Sequence, residues 1–250
     1  MMNVLKMEFY KLRHKKMGMM VILMGLFQYM YLTWAMGRME SNESGQEWMN
    51  CLYLVFQINI ILMPLFIATI ASRLSDMEHK GNMFKCLKVL VSSHRLFNTK
   101  ILCGLSYLMG IVGLQVIAMI LVSKQQSFIQ VMPIKYLGYY IGIVLLIDVT
   151  LFLLQLNLSL LFTNQMIAFV IAIVGTFLGL YSMFFSEKVA GWIVWGYYAL
   201  LAPVRMNWDP DTRIIDYYWT NISIERILIL VGLFMGLYIV GERLFMRKEG

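Results

Sequence analysis

Six apolar stretches constrain the fold of this chain of 250 residues more than any other feature. Each is about 20 residues long, and about 20 residues of helix cross a hydrocarbon core of roughly 30 Å. Their continuous hydrophobicity excludes barrel strands, in which apolar and polar residues alternate. The sequence therefore predicts an all-α integral membrane protein with six transmembrane helices. We place these at Met17–Met36, Leu52–Ala71, Ile101–Val122, Ile134–Leu154, Met166–Phe185 and Ile227–Phe245.

The overall composition supports a membrane protein. The chain is 60% hydrophobic and 14% charged, whereas soluble domains carry about 25% charged residues. Its net charge is +7, but the basic residues stand beside the apolar stretches and form no separate domain, so nucleic acid is not a predicted partner. The sequence shows no internal repeat and no flexible linker. We expect one transmembrane domain over residues 1–250.

Lysine and arginine residues indicate the orientation of the chain. They concentrate in the N-terminal tail, between the second and third spans, and at the C-terminal end. With an even number of spans these regions share one side, which the positive-inside rule identifies as the cytoplasm. Both termini are therefore predicted to be cytoplasmic. The first apolar stretch is too long for a signal peptide, and Ala35-Met36-Gly37 is a poor cleavage site.

The N-terminal tail, residues 1–16, is mildly amphipathic. Val4, Leu5, Phe9 and Leu12 recur at helical spacing, with basic residues on the other faces. This pattern predicts a cytoplasmic helix that lies at the membrane interface. The alternative is a basic tail that only sets the orientation of the first span.

The region 186–226 differs from the rest of the chain. Val189–Leu201 is apolar but too short to span a bilayer. It contains Trp192, Trp195, Tyr197 and Tyr198, whose rings favour the headgroup level. We predict a re-entrant or interfacial helix on the outer face, followed by a polar loop and the last span.

Asp148 stands alone near the middle of the predicted fourth span. A charge at this depth costs several kcal/mol and is expected to face protein or water. Gln155 and Asn157 follow about two turns later on a similar side. These groups either line a substrate path or form interhelical hydrogen bonds. Asp148, Gln155, Trp192 and Trp195 are our candidate residues for a substrate path.

Three spans contain paired glycines at the spacing GxxxG, which allows helices to approach closely. We expect packing within the chain, and a seam between two copies is the alternative. The pairs are Gly138 with Gly142, Gly175 with Gly179, and Gly232 with Gly236.

The sequence lacks the usual patterns of catalysis and metal binding. Its three cysteines show no paired spacing, and its three histidines have no second ligand at metal spacing. There is no P-loop and no set of reactive side chains typical of membrane enzymes. We therefore predict no metal site, no catalytic residue and no ATP binding by this chain alone.

A charged segment, residues 72–100, separates the second and third apolar stretches. Phe84, Leu87 and Val91 recur at helical spacing and give a short helix one apolar stripe. Such a helix could enter a groove on a soluble partner, while the alternating charges fix its register. The alternative is that it packs on its own spans. The candidate docking residues are Asp76, Glu78, Lys80, Gly81, Phe84, Lys85, Leu87 and Lys88.

The pattern Glu78-x-Lys80-Gly81-x-x-Phe84-Lys85-x-Leu87, followed by Arg95 and Lys100, resembles a loop of the ABC-2 type transporter permeases. The resemblance implies a type V exporter permease whose loop forms a coupling helix on a separate ATPase subunit. Two copies of that ATPase are expected, and they would bind the ATP and Mg. A second permease subunit, identical or paralogous, is also implied. The chain itself is then a transport subunit and not an enzyme.

The length of the chain, without a fused ATPase, is most similar to the permease subunits of lantibiotic immunity transporters. These expel antimicrobial peptides from the producer's own membrane, which implies a peptide substrate and a bacterial plasma membrane. One departure is the absence of a proline after the coupling helix, where Val91-Ser-Ser-His-Arg95 stands instead. The alternatives are an exporter of another drug, lipid or peptide, a membrane-embedded enzyme, and a scaffold subunit.

Overall fold

The computed structural model of the chain describes residues 2–38, 45–79, 92–211 and 215–247. Within these residues the chain is mostly helical, with one two-stranded sheet. The helices are α1 Met2–His14, α2 Met17–Met36, α3 Glu47–His79, α4 Ser93–Gln125, α5 Ile134–Leu161, α6 Gln165–Tyr181, α7 Glu187–Ala190, α8 Tyr197–Leu200 and α9 Ile224–Arg247. The strands are β1 Val204–Trp208 and β2 Ile215–Trp219.

Six of the described helices are long and apolar enough to cross a membrane, which confirms the predicted number of spans. They are α2, α3, α4, α5, α6 and α9. Because successive spans alternate in direction, α1, the last turns of α3 and the first turns of α4 belong to one end of the bundle. The strands belong to the opposite end. We call these the α1 end and the hairpin end.

Helices α3 and α4 are much longer than the apolar stretches that predicted them. Each has 33 residues, which corresponds to about 50 Å of helix against a hydrocarbon core of about 30 Å. The prediction missed the extra turns because their polar residues carry no signal in a hydropathy pattern. Both helices therefore extend beyond the membrane core.

Helix α3 is central to the packing of the bundle. It contacts α5 and α6 extensively, while α2 packs on α4 and α9 packs on α5. The core between these helices includes an edge-to-face pair of Phe56 and Tyr140, with ring centroids 5.5 Å apart. Phe97 contacts Phe245 at 5.7 Å and joins α4 to α9.

The tail residues do form a helix, as the amphipathic pattern predicts. Its apolar face is directed at protein, because Leu12 is fully buried and Leu5 and Phe9 pack against the core. Phe9 also contacts Tyr107 of α4, with ring centroids 5.9 Å apart. Helix α1 is therefore attached to the bundle by side-chain packing.

The apolar stretch Val189–Leu201 is broken into short pieces, so the prediction of a single helix there is wrong. The pieces are α7, a 3-10 turn at Val194–Gly196 and α8. Gly191 and Gly196 weaken the helix in this stretch. Trp195 packs on the glycine face of α6, where Gly175 and Gly179 lie against it. An indole ring thus fills the notch left by these two glycines, which confirms packing within the chain for this pair. The expectation is wrong for the other two pairs, because no atom lies within 4 Å of a Cβ added at Gly138, Gly142, Gly232 or Gly236.

The predicted polar loop is also wrong, because β1 and β2 form an antiparallel hairpin. Val204 pairs with Trp219, and Trp208 pairs with Ile215. Aromatic and β-branched residues on these short runs favour strands. The ring of Trp219 stacks on Tyr136 of α5, with centroids 3.6 Å apart. The hairpin is therefore fixed to the end of α5.

Replacement of Gly179 by alanine is expected to loosen the segment that contains Trp195. An added Cβ would lie 2.9 Å from the Trp195 carbonyl oxygen, and overpacking of this kind costs about 1–3 kcal/mol. We expect a lower thermal unfolding temperature in detergent for Gly179→Ala. Gly142→Ala is the matched control, because no atom lies within 4 Å of a Cβ there. Equal unfolding temperatures for the two variants would contradict the close packing of Trp195 on Gly179.

Candidate functional site

The candidate docking segment is only partly described by the structure. Asp76 and Glu78 belong to the last turn of α3, which continues without interruption to His79. Helix α4 begins at Ser93. The structure thus gives the arrangement of the two helices that flank the segment. The other candidates lie outside the described residues, and they are Lys80, Gly81, Phe84, Lys85, Leu87 and Lys88.

Lys100 of α4 is fully buried at the α1 end of the bundle. Its Nζ donates to the carbonyl oxygen of Leu74 in α3 at 2.8 Å. It also lies 3.4 Å from Oε2 of Glu8 in α1, which is 1% exposed. Together these two contacts of Lys100 join α1, α3 and α4 near the end of α3 and the start of α4. The sequence pattern counted Lys100 only as a basic residue of the loop.

A second polar chain joins α4 to α9 at the same end. Tyr238 donates its hydroxyl to Asn98 Oδ1 at 2.7 Å, and the Asn98 amide is 3.1 Å from His94 Nε2. The other ring nitrogen of His94 contacts the carboxylate of Glu242. The first turns of α4 therefore contact α1, α3 and α9.

Asp148 lies in the middle of α5 and is fully buried. Its Oδ1 accepts a hydrogen bond from the hydroxyl of Tyr198 in α8. Tyr198 is itself fully buried, so the segment with α8 reaches into the bundle to the level of this carboxyl. The backbone of that segment is also held by Tyr139, whose hydroxyl donates to the Leu201 carbonyl at 3.0 Å.

The four candidate residues for a substrate path do not converge on one surface. Asp148 and Gln155 are buried inside the bundle, at 0% and 1% exposure. Trp192 is 89% exposed at the hairpin end, and Trp195 is half-buried against α6. Asn157 donates its amide to the Leu237 carbonyl of α9 at 2.9 Å. Asp148 and Asn157 thus make hydrogen bonds between elements.

The sequence reasoning missed a buried polar cluster centred on Asn59. Its Oδ1 accepts from the Gln28 amide at 3.1 Å and from the Gln115 amide at 2.9 Å. Its own amide donates to the Tyr140 hydroxyl at 3.4 Å, and that hydroxyl donates to Gln115. We call these four side chains the Asn59 cluster. They join α2, α3, α4 and α5.

Isolated amides in the middle of apolar stretches are the signal that could have found the cluster. Gln28, Asn59 and Gln115 each stand in a different predicted span. A polar side chain in hydrocarbon needs a partner, and the nearest partners are on neighbouring helices. Nothing in the sequence indicates which helices are neighbours, so the pairing required the structure.

A cavity of about 240 Å³ opens at the hairpin end, between α3 and the segment with α7 and α8. Its apolar lining includes Tyr53, Phe56 and Met183. Arg205 Nη2 donates to Glu187 Oε1 at 2.7 Å beside it. This hydrogen bond and the charge of Arg205 lower the pKa of Glu187 below its ordinary value. Both side chains are well exposed, so the pair adds little stability.

The described part of the chain contains no group of three or more histidine, cysteine or acidic side chains that could hold a metal. Cys51 and Cys103 are both fully buried. They pack in the bundle as small apolar side chains.

The six spans define a multi-pass membrane protein. The family model described as ABC-2 family transporter protein matches residues 4–179, which is more than half of the chain. The chain belongs to the ABC-2 family of transporter proteins. It is thus the membrane permease of an ABC exporter, a class of subunit that generally works with an ABC ATPase. No curated protein and no solved structure matches it.

Replacement of Asn59 by leucine is expected to destabilise the bundle. It removes three interhelical hydrogen bonds, each contributing about 0.6–2 kcal/mol, so we expect a loss of about 2 kcal/mol or more. The measurement is unfolding in mixed detergent micelles with increasing denaturing detergent. Gln57→Leu is the control, since Gln57 lies two residues away, is half-buried and does not belong to the cluster. An equal effect of both variants would show that the cluster contributes nothing.

Replacement of Tyr198 by phenylalanine is expected to leave the buried Asp148 carboxyl without its donor. A buried polar group deprived of its partner costs about 1–3 kcal/mol. We expect a lower thermal unfolding temperature, together with faster cleavage by protease between α7 and β1. Tyr218→Phe is the control, because this hairpin tyrosine is 46% exposed. An unchanged protease pattern in Tyr198→Phe would rule out Tyr198 as the attachment of the segment.

Proposed function

We propose that this permease exports an antimicrobial peptide from a bacterial plasma membrane and thereby protects the cell that produces the peptide. Its energy comes from two copies of a separate ATPase subunit, which bind ATP and Mg. The permease acts as a pair with a second subunit, identical or paralogous. In this proposal α1 and the segment 80–91 are cytoplasmic, and the hairpin is outside.

The length of α3 and α4 carries the proposal of ATPase docking on the segment 80–91. Each helix has 33 residues, far more than a bilayer needs. The extra turns carry the end of α3 and the start of α4 clear of the hydrocarbon core. Lys100 joins these ends through its bond to the Leu74 carbonyl, 2.8 Å long. A short helix presented in this way is available to a groove on a soluble subunit.

Transport in this proposal follows alternating access. Closure of the two ATPase subunits on ATP would press on the docking segment and move the cytoplasmic ends of α3 and α4. A path between the two permease subunits would then open outwards. In this arrangement Phe84 and Leu87 form the apolar contact. The charges that fix its register are those of Asp76, Glu78, Lys80, Lys85 and Lys88.

The outer face supplies the support for a peptide substrate. Trp192 is exposed, and the cavity beside Arg205 and Glu187 is lined by aromatic and methionine side chains. Aromatic rings and charges together suit an amphipathic, charged chain at the headgroup level. An exporter of another drug or lipid is the alternative, because the same surface accepts other amphipathic molecules.

Docking is tested with the paired replacement Phe84→Asp and Leu87→Asp. We expect the wild-type chain, tagged and extracted in mild detergent, to retain a stoichiometric ABC ATPase. The variant should lose this ATPase, because two charges cannot enter an apolar groove without a large desolvation cost. Its insertion in the membrane should be unchanged.

The matched control for docking is Phe184→Asp, which places the same charge on a phenylalanine that is 83% exposed at the hairpin end. We expect this control to keep the ATPase. Normal ATPase recovery and normal transport by the Phe84 and Leu87 variant would contradict docking on this segment. A second, different permease in the same sample would favour a paralogous pair.

The substrate class is tested by the survival of cells that carry the chain and its co-purifying ATPase. We expect a higher inhibitory concentration of a lantibiotic such as nisin, and no change for small uncharged drugs. Protection should disappear when the catalytic glutamate of the partner ATPase is replaced by glutamine. Protection against drugs and not against peptides would overturn the peptide assignment and leave the permease assignment intact.

A further inference from the structure

The ion pair of Lys100 and Glu8 is buried in the protein, although it lies near one end of the helix bundle. The two side chains are 0% and 1% exposed. Charged side chains taken out of water lose hydration, so a buried pair is weak support for stability compared with well-packed apolar residues. Such a pair can instead fix the position of the helices that carry it relative to one another.

The elements joined by Lys100 are those that flank the docking segment. Leu74, whose carbonyl accepts its shorter bond, is five residues before the last residue of α3. Lys100 itself is seven residues after the start of α4, or about two turns into the helix. Glu8 lies in the middle of α1, so the contact brings a third helix to the same place.

The polar chain on the other side of α4 extends the same arrangement. His94, Asn98 and Tyr238 connect the first two turns of α4 to α9, and Glu242 completes the chain. A displacement of the start of α4 would therefore be carried to α1, α3 and α9 together. Packed elements with fixed contacts of this kind move as one body more readily than they deform.

We propose that Lys100 is a positioning residue that makes α1 and the two ends of the docking segment move together when the ATPase binds nucleotide. This inference rests on the proposed docking of the ATPase at residues 80–91. The residue touches neither substrate nor nucleotide. Its bond to Leu74 transmits the movement, and its pairing with Glu8 includes α1.

The test uses the full chain with its co-purified ATPase in lipid nanodiscs. A fluorophore is placed at Lys188→Cys on the exposed α7, with Cys86→Ser to remove one competing thiol, while Cys51 and Cys103 are buried. The signal is the fluorescence change on trapping with ATP and vanadate, and it needs no substrate. The variants are Lys100→Arg, Lys100→Met, and the double replacement Glu8→Gln with Lys100→Met.

The double replacement separates positioning from simple charge balance. It removes both charges of the pair together, and its assembly and ATPase recovery are measured beside the response. We expect its nucleotide response to fall by about 5-fold or more, within the usual range of coupling between distant sites. Lys100→Arg, which keeps a donor for Leu74 and a positive charge for Glu8, should retain the response.

Lys124→Met is the matched control, because it removes an exposed lysine from the other end of α4. It should respond like the wild type. A wild-type response in the double replacement would overturn the proposal and leave the ion pair with a structural role only. If Lys100→Met alone fails to assemble, the double replacement still decides between the two roles.

A failure of the proposed function gives a different result in the same experiment. If the wild-type chain retains no ATPase, or its label does not respond to trapped nucleotide, docking itself is contradicted before any variant is compared. If the wild type responds and all Lys100 variants respond equally, only the positioning role is lost.

Discussion

The arrangement of this bundle depends on the need of buried amides for hydrogen-bond partners in a medium without water. Asn59 accepts from Gln28 and Gln115 and donates to Tyr140, which sets the relation of α2, α3, α4 and α5. In hydrocarbon no water is available to form hydrogen bonds with these groups when the helices separate. Apolar packing alone would leave the helices free to slide, because lipid is as apolar as the side chains. The segment with α7 and α8 packs on this bundle, as does α1.

Features that depend on one continuous run of residues, such as the membrane spans, could be predicted from the sequence. Contacts between residues that are distant in the chain could not. The bounds of α2 agree with the predicted Met17–Met36, and all six spans are present. The extra turns of α3 and α4 were not predicted, because polar residues in a helix outside the membrane carry no hydropathy signal. The partners of Asn59 in its cluster lie 31 to 81 residues from it along the chain. No local pattern reports such pairings.

The candidate functional residues show the same division. Asp148 is unusual by its isolation in an apolar stretch, but its donor, Tyr198, stands 50 residues away in a segment predicted as a re-entrant or interfacial helix. The glycines of α6 were expected to receive another helix, and an indole occupies that surface instead. Lys100 was counted as one basic residue among several, because a buried and an exposed lysine look the same in a sequence. For the candidate docking segment, the sequence supplies the pattern and the structure supplies the two helices on either side of it.

The ion pair of Lys100 and Glu8 also has a consequence for biosynthesis. Its two members are 92 residues apart in the chain. At a synthesis rate of about 5–20 residues per second, roughly 5–18 s pass between their appearance at the ribosome. During that interval the carboxylate of Glu8 lacks the ammonium group of Lys100, which has not yet been synthesised. The N-terminal helix can therefore take its final place only after the third span has entered the membrane, and closure of this pair marks a late step in the maturation of the protein.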